Sequence, residues 1–235
     1  MMSINMMPQP DDMTCGPTSL HAVYRYFGDR ISLEEVIHEV HYLKEGGTLG
    51  VLLACHALKR GYHAKIYNYN LDVFDPTWFK DNKTDIIHKL EEQRKYKKNE
   101  KLQLAVDAHI EFLNLGGKIF TRDLSPSLLK RFFRLNVPIL AGLSATYLYQ
   151  SAREYTNETG ETIVHDVLGY PYGHFVVLCG YDDEKKHVVV ADPYLENPLS
   201  GNNYYSVKMS RLINAILLGI VTYDANLLVI EPQQN

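Results

Sequence analysis

The chain has 235 residues, 46% of them hydrophobic and 22% charged, with a formal net charge of −4. That is enough apolar chain for one large domain with a buried core, and it excludes a disordered chain. The mild acidity excludes a nucleic-acid footprint, which needs a basic excess or stripe.

The start, "MMSINMMPQPDD", lacks a charged region followed by a long apolar one, so no signal peptide is expected. Pro17 suits a first helical turn, so a helix is predicted to begin just after Cys15. Leu20, Val23, Tyr24 and Phe27 share one face of it, and Gly28 ends it. "SLEE" at Ser32 reads as a capping box, with Glu35 reaching back. Thr48 is expected to cap a third helix, "LGVLLACHALKRG", and "HAKIYNYN" alternates like a strand. Residues 80 to 115 read as two helices, the first a solvated, mostly charged one. A short strand "KIFTRD" follows, then a helix with Ser125 as N-cap and Pro126 in its first turn, then a buried strand "VPILAGLS". Residues 145 to 173 form a long, tyrosine-rich connection, of the kind that is functional or mobile in a compact domain. "HFVVLCGYDDEKKHVVVADPY" reads as a hairpin around a charged turn. A helix "MSRLINAILLG" and another pair of strands around "DAN" complete the chain. Helices come mostly first and antiparallel signals last, which predicts an α+β fold. No apolar run reaches the roughly 18 residues of a membrane span.

The cysteines are Cys15, Cys55 and Cys179, too sparse for a disulfide framework and without a C-x-x-C zinc pair. Reduced thiols in the cytoplasm are the expectation. Cys55 and Cys179 lie in apolar patterns and read as core. Cys15 stands at a helix start, where partial positive charge and unpaired N–H groups favour a thiolate. A cysteine nucleophile also needs a histidine, and the histidine needs a residue to orient it. His174 opens one hairpin strand and Asp192 closes the other. Pairing Tyr181 with His187 sets His174 opposite Tyr194, with Asp192 as a diagonal neighbour on the same face. An odd-length loop gives this parity; an even loop without a bulge puts Asp192 on the other face. Gln9 offers a carboxamide for an oxyanion beside the Cys15 N–H, and Gly173 leaves room for a substrate backbone.

Taken singly, each residue has a plainer reading: Cys15 as packing, His174 as a strand-end histidine, Asp192 before Pro193 as turn chemistry. His165-Asp166 is a rival pair with no strand to fix it, and His38 and His41 lack a third metal ligand. The tyrosines of 145 to 173 read as packing by default, with a peptide groove as the other use.

The ordered set "QPDDMTCGPTSL", "GHFVVLCGY" and "ADPY" resembles the bacteriocin-processing, double-glycine-leader type of papain-like cysteine peptidase, the C39-like peptidases. The resemblance covers 9 to 61 and about 137 to 195. It implies a papain-like α+β fold, with an N-terminal helical part packed on an antiparallel sheet and the site in the cleft between them. It implies Cys15 as nucleophile, His174 as general base and acid, Asp192 as its orienter and Gln9 in the oxyanion hole. The expected activity is hydrolysis of a peptide or protein substrate without cofactor or metal. Acyl transfer to an amine or thiol at the same site, and a peptide-binding module without catalysis, are the alternatives. Residues 1 to 235 are expected to form one domain, with a helical insertion at about 80 to 125. The family's best-known members are fused to a transporter, and this chain has no transporter segments.

Overall fold

The computed structural model describes residues 1–44, 46–81, 83–157 and 159–233. Three helices come first: α1 (Cys15–Tyr26), α2 (Leu33–Glu39) and α3 (Gly50–Lys59). Then follow β1 (Tyr62–Asn68), α4 (Ile86–Tyr96), α5 (Glu100–Asn114), β2 (Lys118–Phe120) and α6 (Pro126–Arg134). The second half runs β3 (Ile139–Ser144), α7 (Ala145–Tyr149), β4 (Glu154–Thr156), β5 (Thr162–Val164), β6 (Gly173–Asp182), β7 (His187–Ala191), β8 (Tyr204–Lys208), α8 (Met209–Leu218) and β9 (Asn226–Pro232).

Seven strands form one sheet in the order β2-β1-β9-β3-β6-β7-β8, and β4 and β5 form a separate ribbon. All neighbours in the large sheet are antiparallel except β1 and β2. Helices cover both of its faces. Ala64, Ile66, Phe175, Val177, Leu228 and Ile230 turn toward the layer of α1, α3, α4 and α5. Tyr67, Val176, Leu178, Leu227 and Val229 turn toward α6, α7 and α8. Strands buried on both faces read as apolar runs, which is why "GHFVVLC" and "NLLVI" show little alternation. The fold is α+β, as expected, with a second helical layer on the far face of the sheet.

Local chemistry accounts for most element starts. Ser32 and Glu35 form the capping box, and Ser125 Oγ accepts from the Leu128 N–H at 3.3 Å. Three expectations need correction. The first helix begins at Cys15 itself. The N-cap position of α3 is Leu49, because the Thr48 hydroxyl donates instead to the His41 carbonyl at 2.8 Å. No strand precedes "DAN". Residues Gly219–Thr222 form a 3-10 turn, and Tyr223 is left-handed at φ 69°. Gly219 lies so close to the Leu143 Cα and the Ala225 nitrogen that a Cβ would meet both at 3.1 Å. Sequence reading missed three strands: β8, from "YYSVK", which comes before α8, and β4 and β5, which with the short helix α7 lie within the stretch 145–173 read as a connection.

The first nine residues form an extended arm along the hairpin. Met2, Ile4 and Met6 alternate into the core. The Met2 N–H donates to the Cys179 carbonyl at 2.9 Å, and the Gln9 N–H to the Pro193 carbonyl at 2.9 Å. Between them the Tyr204 hydroxyl donates to the Ile4 carbonyl at 2.8 Å and accepts from the Met6 N–H at 2.9 Å. None of the described helices is long and apolar enough to cross a membrane.

Candidate active site

Cys15 occupies the first turn of α1, half-exposed, with no side chain capping the helix. The Thr14 hydroxyl is engaged elsewhere, donating to the Asp11 carbonyl at 3.0 Å. The first-turn N–H groups, which no helix can pair internally, thus have no side-chain cap. Gly16 lets this end of α1 approach the sheet: a Cβ there would stand 2.7 Å from Thr48 Cγ2 and 3.3 Å from Phe175 Cδ2. The Ser19 hydroxyl donates to the Phe175 carbonyl at 3.0 Å across a sequence separation of 156. These two contacts fasten α1 to β6 one residue beyond His174.

His174 is buried, and its Nε2 pairs with Asp192 Oδ1 at 2.8 Å. Cys15 neighbours the same ring closely enough to act on its charge, and with Nε2 committed to Asp192 the nitrogen left free is Nδ1. Burial pulls the imidazole pKa down, but the negative charges of Asp192 and Cys15 outweigh it and hold His174 up at about 10. The structure therefore brings together three of the four predicted residues, Cys15, His174 and Asp192.

They come together by an unexpected register. Asp182 pairs with His187, Tyr181 with Val188 and Gly180 with Val189, around the even, four-residue loop 183–186. The ladder then slips, so that Leu178 pairs with Val190 and Val177 with Ala191. A β-bulge at Cys179 absorbs one residue. Near the turn the pairing is one residue off the expected one. Beyond the bulge it is as expected, and His174 and Asp192 share a face.

Asp192 is fully buried and fully satisfied. Oδ1 accepts from His174 and from the Tyr194 N–H at 2.9 Å. Oδ2 accepts from the Tyr149 and Tyr205 hydroxyls, each at 2.7 Å. Burial pushes this carboxyl up, but His174 and the two phenols hold it below the ordinary carboxylate range. Its backbone is held too, with Asp192 N–H donating to the Asn203 carbonyl at 2.8 Å and Asn203 Nδ2 to the Asp192 carbonyl at 2.6 Å. Sequence reading missed Tyr149 and Tyr205. The alternation of "YYSVK" marks Tyr205 as an inward residue, but only the pairing of Tyr205 with Val190 aims it at Asp192.

Gln9 lies beside this group through its main-chain bond to Pro193. Its Nε2 donates to the Asp11 carbonyl at 2.9 Å, and its Oε1 is buried without a partner. One amide hydrogen is thus committed to the loop leading into Cys15. Tyr42 also neighbours Cys15 and Asp11; burial, then those two groups, raise its phenol pKa.

Gly173 does not make room for a substrate. The place where its Cβ would be is 1.8 Å from Asp224 Oδ2, so the missing side chain makes room for a carboxyl group. The rival His165 sits in a local turn, where its Nδ1 accepts from the Val167 and Leu168 N–H groups at 3.2 and 3.1 Å. Cys55 and Cys179 are buried core, and burial pushes their thiols up to about 12 and about 11. Among the described residues, no group of three or more His, Cys, Asp or Glu side chains is placed to hold a metal ion.

The sequence model of the Peptidase_C39 like family matches residues 123–215. No curated protein matches the chain. A crystal structure described as a C39-like peptidase from Bacillus anthracis is 14% identical, with a TM-score of 0.54, covering 100% of this chain and 98% of that one. The peptidase domain of Streptococcus ComA, a bifunctional ABC transporter, is 12% identical at a TM-score of 0.47, covering 98% and 100%. Xylellain, a cysteine protease from Xylella fastidiosa, is 16% identical at 0.42, covering 98% and 86%. The chain thus has the papain-like fold of the C39-like cysteine peptidases, and its stretch 123–215 carries the sequence pattern of that family.

Proposed function

We propose that the protein is a cysteine peptidase that hydrolyses amide bonds in a peptide or protein substrate. The observation that carries this reading is one buried imidazole ring, held by Asp192 at 2.8 Å on Nε2, with Cys15 at the start of α1 as its neighbour. Cys15 Sγ attacks the carbonyl carbon as thiolate, paired with the His174 imidazolium. The oxyanion of the tetrahedral intermediate rests on the Cys15 N–H at the uncapped end of α1 and on the free amide hydrogen of Gln9. As the C–N bond breaks, His174 passes its proton to the leaving amine. Water, deprotonated by the same ring, then releases the acyl group and restores the thiol. Asp192 keeps the Nε2 proton in place and stays ionised throughout, as its four hydrogen bonds favour. No step draws on a cofactor.

The test is a cysteine-directed probe with mass-spectrometric mapping. The intact protein is expected to be labelled at Cys15, Cys15→Ala to be unlabelled, and His174→Ala to lose most labelling. Equal labelling of Cys55 and Cys15 in the native protein sinks the reading. Product analysis with an added amine then separates hydrolysis from acyl transfer.

A further inference from the structure

β8 carries two adjacent tyrosines, and only one of them serves the carboxylate of the site. Successive side chains of a strand point to opposite faces. Tyr205 is buried and donates to Asp192 Oδ2, while Tyr204, 41% exposed, turns to the other face and meets the N-terminal arm. Its place in the sheet is fixed. Tyr204 pairs with Ala191, the residue before Asp192, and its N–H donates to Asn202 Oδ1 at 2.7 Å. Its hydroxyl is used twice. It donates to the Ile4 carbonyl at 2.8 Å and accepts from the Met6 N–H at 2.9 Å, on either side of Asn5.

This clamp holds the approach to Gln9, which lies only three residues beyond Met6. Proline fixes its own φ and restrains the residue before it to extended conformations, so "MPQP" leaves Met7, Pro8, Gln9 and Pro10 little freedom to bend. The stiff stretch has little packing of its own. Met7, Pro8 and Pro10 are exposed and line an open cleft of about 730 Å³ against α1 and α2. Among the described residues its main chain is anchored at two points, the Met6 N–H on Tyr204 and the Gln9 N–H on the Pro193 carbonyl at 2.9 Å. The carboxamide adds little constraint, since one bond to the Asp11 carbonyl holds it and Oε1 has no partner among the described residues. Gln9 therefore takes its position from its backbone, and its backbone from Tyr204 and Pro193.

We propose that Tyr204 is a positioning residue for the oxyanion site, a two-bond clamp that sets the main chain of the arm and through it the free amide hydrogen of Gln9. The inference rests on the oxyanion role of Gln9 proposed above. With the hydroxyl gone, the Ile4 carbonyl and the Met6 N–H turn to water, the arm shifts, and the amide spends less time aimed at the oxyanion. Thiolate formation is untouched, because the clamp's hydrogen bonds go to the arm and to Asn202, not to α1 or His174.

The experiment compares two reactions of Cys15. Alkylation by iodoacetamide displaces iodide and forms no oxyanion, so its rate reads the thiolate alone. Acetylation by p-nitrophenyl acetate forms an S–C bond, passes through a tetrahedral oxyanion and expels p-nitrophenolate, so its rate reads the oxyanion site as well. Both are mapped to Cys15, with Cys15→Ala as the blank. Tyr204→Phe should be alkylated at the rate of the intact protein and acetylated about tenfold more slowly, the scale of a modestly misplaced catalytic group. Gln9→Ala should slow acetylation roughly 100-fold, the scale of one lost oxyanion donor. The double variant should be no slower than Gln9→Ala alone, which a merely structural role of Tyr204 would not produce. Acetylation of Tyr204→Phe at the intact rate, equal slowing of both reactions, or a double variant slower than Gln9→Ala by the factor that Tyr204→Phe shows alone overturns the inference. Acetylation unaffected by Gln9→Ala overturns the oxyanion role of Gln9, and that of Tyr204 with it. Alkylation no faster at Cys15 than at Cys55 overturns the pairing of Cys15 with His174, and with it the site that the clamp serves.

Discussion

Replacing Tyr149 or Tyr205 by Phe removes one of the two donors to Asp192 Oδ2, each 2.7 Å away in a site with the carboxylate fully buried. A hydrogen bond to a charged group is worth about 1.5–3 kcal/mol. Either single variant leaves Oδ2 with one donor, so each is expected to cost about 2 kcal/mol. The double variant leaves a buried anionic oxygen with none. The desolvation of that atom adds roughly 1–3 kcal/mol, so the total should exceed the sum of the singles. Urea unfolding near pH 6 measures all four corners of the cycle. For a chain of this size, a single variant should lower the melting temperature by about 4–8 °C. The acid limb should move as well. With fewer donors the folded pKa of Asp192 lies closer to its unfolded value, so the loss of stability on acidification is smaller and is complete at higher pH than in the intact protein. A single cost below about 0.5 kcal/mol, or a cycle that closes additively within that margin, refutes the shared carboxylate.

Other outcomes follow from the same geometry. His174 is held at about 10 against an ordinary 6.5, so its pairing stabilises the fold fully below pH 6.5 and is lost as pH rises toward 10. Unfolding of His174→Gln should lack that decline, and equal slopes in both proteins would sink the assignment. Gly173→Ala drives a Cβ into Asp224 Oδ2 and should cost about 1–3 kcal/mol. Asp224→Ala in the same chain should recover most of that loss, as thermal unfolding will show. Cys55 and Cys179, with thiols pushed up to about 12 and about 11, should resist alkylation at pH 8 until the protein is unfolded, as peptide mapping reads directly.

Much of this arrangement was legible in the residues. The capping box at Ser32, the cap at Ser125 and the apolar runs of β3 and β6 depend on neighbours within a few positions, and those readings held. The meeting of His174 with Asp192 was also foreseen, but the count that produced it was wrong near the turn. Nothing local in "VVLCGYDDEKK" marks Cys179 as the residue that leaves the ladder. The bulge is stabilised by a partner from far away, the Met2 N–H on the Cys179 carbonyl. Tyr149 and Tyr205 were invisible for the same reason. Each reaches the site through strand order, and the pairing of β3 with β6 or of β8 with β7 is a long-range choice that no short motif records. Gly173 shows the limit most plainly. The need for a missing side chain was read correctly, while the group that needs the space lies in another element.

The N-terminal arm and the pairing of β1 with β9 set an order for folding. β1, made early, finds its antiparallel partner only when Asn226–Pro232 emerges. The arm at Ile4 waits for Tyr204, a separation of 200 residues. Such non-local closure is slow, because loop entropy is spent before contacts reward it. During synthesis Cys15 is therefore made long before its imidazole partner is in place. The thiol stays unpaired on the nascent chain, and on the proposed chemistry the protein gains cutting power in a late, all-or-none step, after its own susceptible backbone has been folded away.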